Sequence, residues 1–153
     1  MLKKILCAID DQAHSGRAVD AAIDMARDMS SALVFFMANP AVLPGRGPMI
    51  HRWSKDYINR YFNEARARAR RSGVFDARCV TKNASDVTKA ILLEAEDSNA
   101  DFIVVGSNSR PGTLGNWKYS ITRELAARAP CPTIIVHSEP QEQTMVSRLL
   151  AAE

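Results

Sequence analysis

Apolar runs and helical stripes alternate along this chain. Residues 3–9 (KKILCAI) form a short apolar run that stops at Asp10-Asp11, the pattern of a strand ending in a loop. Ser15 suits a helix N-cap. Val19, Ala22, Ile23, Ala26 and Met29 recur at helical spacing, which predicts an amphipathic helix over 16–29. Residues 32–38 (ALVFFMA) are continuously apolar, as in a strand covered on both faces. The Pro- and Gly-rich stretch 39–48 reads as a loop. A second helix is predicted over about 50–72, with Trp53, Tyr57, Tyr61, Phe62 and Ala65 inside and Gly73 as its stop.

The second half repeats the alternation. Residues 75–81 (FDARCVT) alternate weakly, like a strand near an edge. Asn83 and Ser85 offer caps for a third helix carrying Val87, Ala90, Ile91 and Ala95 on one face. Residues 101–106 (DFIVVG) are the most strand-like in the chain, and a polar loop follows. A fourth helix is predicted over about 118–128, and Pro130 and Pro132 lead into a last strand, TIIVH, at 133–137. In the tail, 139–153, Met145, Val146, Leu149 and Leu150 have the spacing of a short amphipathic helix. Five strands alternating with four helices predict a parallel sheet covered on both faces. Ligands of such sheets sit at the carboxyl ends of strands near the switch in strand order, which here points to Asp10 and Gly106.

Composition narrows the class. At 153 residues, 46% hydrophobic and 24% charged, the chain is sized and composed for one folded domain. The net charge of +3 is unevenly placed: Arg46 to Arg71 holds eight Lys/Arg against Asp56 and Glu64. No nucleic-acid motif accompanies that segment and its aromatics fall at helical spacing, so a solvated basic helix is expected rather than a nucleic-acid surface. Cys7, Cys79 and Cys131 are widely spaced and form no CxxC pair, which fits buried, reduced thiols. His14, His51 and His137 are scattered without metal-site spacing. The first apolar run is too short for a signal peptide and no stretch approaches a membrane span, so a cytoplasmic protein is expected. No GxSxG-type nucleophile motif is present.

Three elements carry candidate chemistry. Asp10 is a carboxylate suited to a ribose hydroxyl or a metal ion, although Asp is equally a turn residue. The loop from Gly106 through Ser109, Arg110 and Gly112 has the glycine content that lets a backbone approach phosphate. Ser120 lies at or near a helix start, where exposed N–H groups attract anions.

KKILCAIDD at the start, ADFIVVGSNSRPG in the middle and SITRELAARAPCPTIIV near the end resemble the universal stress protein family over about residues 2–137. The resemblance implies an adenine nucleotide alpha-hydrolase-like fold, a doubly wound sheet of strand order 3-2-1-4-5, in a domain spanning 1–138. ATP-binding members carry Gly-x2-Gly-x9-Gly-Ser/Thr after the fourth strand. Here that motif runs from Gly106 to Ser120, with Ser109 and Tyr119 in place of its second and third glycines. Asn83-Ala84-Ser85 stands where members carry Gly-x-Pro.

The site implied by the resemblance comprises Ile9, Asp10, Ala38, Val105, Gly106, Ser109, Arg110, Gly112, Tyr119, Ser120 and Ile121. Its implied ligand is ATP or AMP with Mg²⁺. Tyr119 sets a bulky ring where close backbone approach is expected, and it is disfavoured if that position needs a positive φ. Weak or absent ATP binding is therefore expected, with adenine-nucleotide binding left open. The resemblance further implies a regulatory protein without strong catalysis, homodimeric through the strand at 133–137, with room for a protein partner. A slow ATPase or nucleotide-dependent hydrolase, and a flavin or electron-transfer protein, are the alternatives on the same fold.

Overall fold

The computed structural model describes residues 2–12, 14–107 and 116–137, with His14 and residues 116–120 described by backbone alone. The elements run β1 (Lys4–Ala8), α1 (His14–Met29), β2 (Ala32–Val42), β3 (Ile50–His51), α2 (Lys55–Arg71), β4 (Arg78–Ala84), α3 (Val87–Asp97), β5 (Phe102–Ser107), α4 (Asn116–Arg128) and β6 (Thr133–His137). Five strands pair in parallel, in the spatial order β4-β2-β1-β5-β6. That is the order 3-2-1-4-5 expected for the five predicted strands. The departure is β3, a sixth, two-residue strand lying antiparallel to the end of β2, which makes the sheet mixed.

Side-chain alternation divides the core into two layers. Ile5, Cys7, Leu33, Phe35, Met37 and Val104 point to the face covered by α1 and α2. Leu6, Val34, Phe36, Ile103 and Val105 point to the other, where α3 and α4 supply Ile91, Leu92, Ala95 and Leu125. The central strands are continuously apolar because both faces of each are covered.

Three helices end alike. Ser30, Gly73 and Asn99 each adopt positive φ just past α1, α2 and α3. The next N–H reaches back to a carbonyl five residues earlier: Ser31 to Ala26, Val74 to Ala69 and Ala100 to Ala95, at 2.8–2.9 Å. This pattern closes the last turn and starts the chain back toward the sheet. Gly73 was legible as a stop, whereas Ser30 and Asn99 take the left-handed conformation without being glycine.

Several boundaries differ from the sequence reading. The predicted 39–48 loop begins late, because β2 continues through Asn39, Pro40 and Ala41 to Val42. Phe36 and Pro40 lie four residues apart on an extended strand, so their carbonyls face one edge. The Phe36 carbonyl accepts from the Ile9 N–H at 2.9 Å, and the Pro40 carbonyl from the Arg52 N–H at 2.9 Å. β3 therefore occupies the edge of β2 that β1 leaves open when it ends. Pro40 needs no partner for an N–H it lacks.

Helix α2 consequently starts at Lys55 rather than near 50, capped by the Ser54 hydroxyl, which accepts from the Tyr57 N–H. Trp53 precedes the helix instead of lying on its inner face. β4 is displaced by three residues, leaving Phe75 exposed in the preceding turn. Asn83 lies within β4, and Asp86 caps α3 by accepting from the Lys89 N–H. Ser15 sits inside the first turn of α1 rather than capping it. The tail at 139–153 lies outside the described residues.

The cysteines are free, with Cys7 wholly buried and Cys79 and Cys131 half-buried. Burial pushes all three thiols up, and Arg66 partly opposes it at Cys79. A thiol reagent at pH 8 is expected to modify Cys79 and Cys131 slowly and Cys7 only as the protein unfolds. Mass spectrometry of timed samples reads this, and early labelling of Cys7 would show that the centre of the sheet is open.

Candidate functional site at the carboxyl ends of β1 and β5

The chain leaves β1 toward β2 and β4 on one side and later returns to β5 and β6 on the other. The strand order thus reverses between β1 and β5, and the loops after those strands part there. A cavity of about 570 Å³ opens at this point. Its apolar walls come from Ala8 and Ile9 of the β1 end, Phe36 and Ala38 of β2, Val105 of β5, Ile91 of α3 and Ile121 of α4.

Six of the residues expected at the site, Ile9, Asp10, Ala38, Val105, Gly106 and Ile121, meet on this one cavity. Gly106 is still within β5, paired with Val136 of β6. Ser109, Arg110 and Gly112 lie outside the described residues. Tyr119 and Ser120 fall inside α4, which starts at Asn116 rather than near 118. A helical backbone has negative φ, so Tyr119 does not meet the positive-φ penalty raised from the sequence. The positive-φ non-glycine residues among those described are Ser30 and Asn99.

Asp10 is both a turn residue and a wall of the cavity. Its Oδ1 accepts from the Ser15 hydroxyl at 2.6 Å and the Gln12 N–H at 2.9 Å. Its own N–H donates to the Ser15 Oγ at 3.0 Å. Ser15 is buried, so this closed ring of bonds fixes the carboxylate as the chain turns into α1. Beside it, Asp11 accepts from the Tyr57 hydroxyl at 3.2 Å. Tyr57 is pushed up to about 12, first by its hydrogen bond with Tyr61, then by burial and the Asp11 charge. It is therefore a neutral donor throughout the ordinary pH range.

The wall that the sequence did not reveal is the β3 segment. Arg52 and Trp53 both line the cavity. Asn39, 4% exposed, holds Trp53 at both main-chain groups: its Nδ2 donates to the Trp53 carbonyl at 2.8 Å, and its Oδ1 accepts from the Trp53 N–H at 2.9 Å. An amide offers one donor and one acceptor at the spacing of a peptide group, so Asn39 extends the β2–β3 ladder by one rung. The Trp53 ring lies 6.4 Å from Tyr57, which lies 5.3 Å from Tyr61, an aromatic file along α2. The Trp53 Nε1 is buried without an acceptor among the described residues. Ser54, a capping hydroxyl just before Lys55-Asp56, was the available signal that Trp53 precedes the helix.

The described wall is acidic. Asp10, Asp11, Asp86 and Glu124 face it, against the single guanidinium of Arg52. Glu124 is paired with Arg128 at 3.3 Å, and Asp86 is engaged at the N-terminus of α3. Arg52 makes no side-chain hydrogen bond or ion pair among the described residues and is exposed. Among the described residues there is no cluster of three or more His, Cys, Asp or Glu able to hold a metal ion, and no helix is long and apolar enough to cross a membrane.

These features define a doubly wound α/β protein with a ligand-sized cleft at its topological switch point. The universal stress protein family model matches residues 1–137, and the chain belongs to that family. No curated protein matches the chain in sequence. Among solved structures, a universal stress protein in complex with cAMP is 21% identical, with a TM-score of 0.70, covering 90% of this chain and 98% of that one. A universal stress protein family member from Burkholderia pseudomallei is 24% identical, with a TM-score of 0.66 over 88% of this chain and 95% of that one. The Archaeoglobus fulgidus universal stress protein in complex with dAMP is 20% identical, with a TM-score of 0.62 over 88% and 97%.

Replacing Asn39 by Ala strands both main-chain groups of Trp53. A loss of about 2 kcal/mol is expected, read as a lower urea midpoint. The fluorescence of Trp53 in a Trp117→Phe background should redden as the wall loosens. An unchanged midpoint and spectrum would mean that the amide does not hold this wall.

Proposed function

We propose that this chain is a cytosolic stress-response protein that binds an adenine nucleotide at the carboxyl ends of β1 and β5 and acts through binding rather than turnover. The observation that carries this reading is the convergence of Ile9, Asp10, Ala38, Val105, Gly106 and Ile121 on one cavity of about 570 Å³. That volume lies in the range of small-molecule sites. Ala38, Ile91 and Val105 offer apolar surface to the faces of a base. The fixed carboxylate of Asp10 suits a ribose hydroxyl. The family relatives in complex with cAMP and dAMP support a nucleotide with one phosphate. Ser109 and Tyr119 in place of motif glycines support weaker binding of ATP, whose Mg²⁺ would arrive on its phosphates.

Calorimetric titration tests this with adenosine, AMP, cAMP and ATP, the last with and without Mg²⁺. AMP and cAMP are expected to bind with about 6–8 kcal/mol, and ATP more weakly. Silence toward adenosine, AMP and cAMP together rejects the reading. ATP binding as tight as AMP binding would show that the substituted loop still receives a triphosphate. Tight ATP binding by Tyr119→Gly alone would identify the ring as the obstacle.

We further propose a homodimer through β6. Among the described residues β6 pairs with β5 alone, and Ile134, Ile135 and Val136 remain half-buried in the single chain. The Pro132 carbonyl accepts from the Ile103 N–H, so by alternation the N–H groups of Thr133, Ile135 and His137 face the open edge. Such an edge invites pairing with a second strand. Light scattering should give the mass of a dimer, and Ile135→Pro, which removes an outward N–H, should give a monomer. A monomeric wild type at micromolar concentration would exclude this arrangement.

A further inference from the structure

We propose that the site takes an adenine nucleotide carrying an uncharged, apolar substituent on the N6 amine of its base, and that the cavity-facing side of the β2–β3 hairpin receives that substituent. This inference rests on the nucleotide reading above and deepens it from the class of nucleotide to its modification. It draws on the base side of the cleft, where residues 32–107 are described throughout.

Alternation along β2 sets the surface. Val34, Phe36 and Ala38 point to the face of the sheet covered by α3 and α4. Pro40 and Val42 follow on that face as the strand runs on. Ile50 of β3 stands directly opposite Val42 in the antiparallel register, and residues so paired share a face. Pro40 and Val42 line the cavity, and Val87 at the start of α3 lines it too. The apolar floor therefore does not stop at Ala38. It continues by about 7 Å for every second residue, past Pro40 to Val42 and Ile50, which are 40% and 52% exposed. The hairpin itself is held by its main-chain ladder and by the Asn39 amide. An exposed apolar pair continuous with a ligand cavity is the mark of a binding groove.

The orientation of the nucleotide selects the N6 position. Its base has Ala38, Ile91 and Val105 for apolar surface, and its ribose has the fixed carboxylate of Asp10. In adenine the sugar-bearing nitrogen and the N6 amine lie at opposite ends of the ring system. With the ribose at Asp10, the N6 end points away from it, toward the end of β2. A substituent there leaves the base along Pro40, Val42 and Ile50. Those side chains offer carbon, so an apolar group gains by burial, whereas a charged one would lose hydration.

The test is calorimetric titration of wild type with AMP, N6-isopentenyl-AMP and N6-benzyl-AMP. Burying about 60 Å² of apolar surface on the hairpin corresponds to about tenfold in affinity. Both modified nucleotides should therefore bind about tenfold more tightly than AMP. A double variant, Val42→Thr with Ile50→Thr, keeps the Cβ branching that strands favour. It should retain the wild-type melting temperature and the wild-type affinity for AMP, while most of the advantage of the modified nucleotides disappears.

Modified nucleotides that bind wild type no better than AMP would overturn the inference while leaving the nucleotide site standing. An advantage kept in full by the double variant would also overturn it, since the substituent would then lie elsewhere. A lower mass of the double variant by light scattering, with ligand affinities unchanged, would give the exposed pair to a second copy of the chain instead. Failure of AMP and both modified nucleotides alike to bind wild type would remove the nucleotide reading itself, and this inference with it.

Discussion

The burial of β1 constrains everything around it. Ile5, Leu6 and Cys7 are fully enclosed, paired along both edges and covered on both faces. A strand in that position can end only where its neighbours continue without it. It ends at Ala8, while β2 runs on to Val42 and β5 to Ser107. The mismatch in length leaves a notch at the carboxyl end of the sheet. The Asp10 turn forms the rim of that notch, and the cavity fills it.

The same notch explains the sixth strand. Beyond Ile9, β2 would present unpaired main-chain groups next to the cleft, and such groups cost free energy unless they find partners. β3 supplies them from the other side of the Pro- and Gly-rich turn, and Asn39 completes the ladder at Trp53. A need of the backbone is thereby met with a segment that also carries Arg52 and Trp53 to the cavity. The structural role of β3 and the chemistry of the wall arise from one arrangement.

The described wall of the cleft carries four carboxylates and one guanidinium. The carboxylates are anchored: Asp10 by Ser15 and Gln12, Asp11 by Tyr57, Asp86 by α3 and Glu124 by Arg128. Six of the eight basic residues between Arg46 and Arg71 lie on α2, whose buried face is Ile58, Phe62, Ala65 and Ala69. Overall basicity therefore says nothing about the sign of the cleft. Position alone makes Arg52 different from the other arginines of that segment.

The order of strands and helices was legible because each element carries its own periodicity. Continuous apolar runs mark strands covered twice, and stripes at helical spacing mark α1 and α3. Asp10 and Gly106 were legible because an alternating α/β chain places its cleft at strand ends. Local signals also sufficed for Gly73. They failed where a long-range partner decided the outcome. Asn39-Pro40 reads as a loop until the Arg52 N–H and the Trp53 main chain are brought to it from more than ten residues away. Trp53 fits a helical stripe in one dimension, yet the Ser54 cap and the Asn39 amide hold it before the helix. Residue type and spacing determined which elements form and in what order they are layered. Tertiary pairing decided where β2 ends, which side chains face the cavity and what charge it presents, because each of these depends on which backbone groups find partners across the fold.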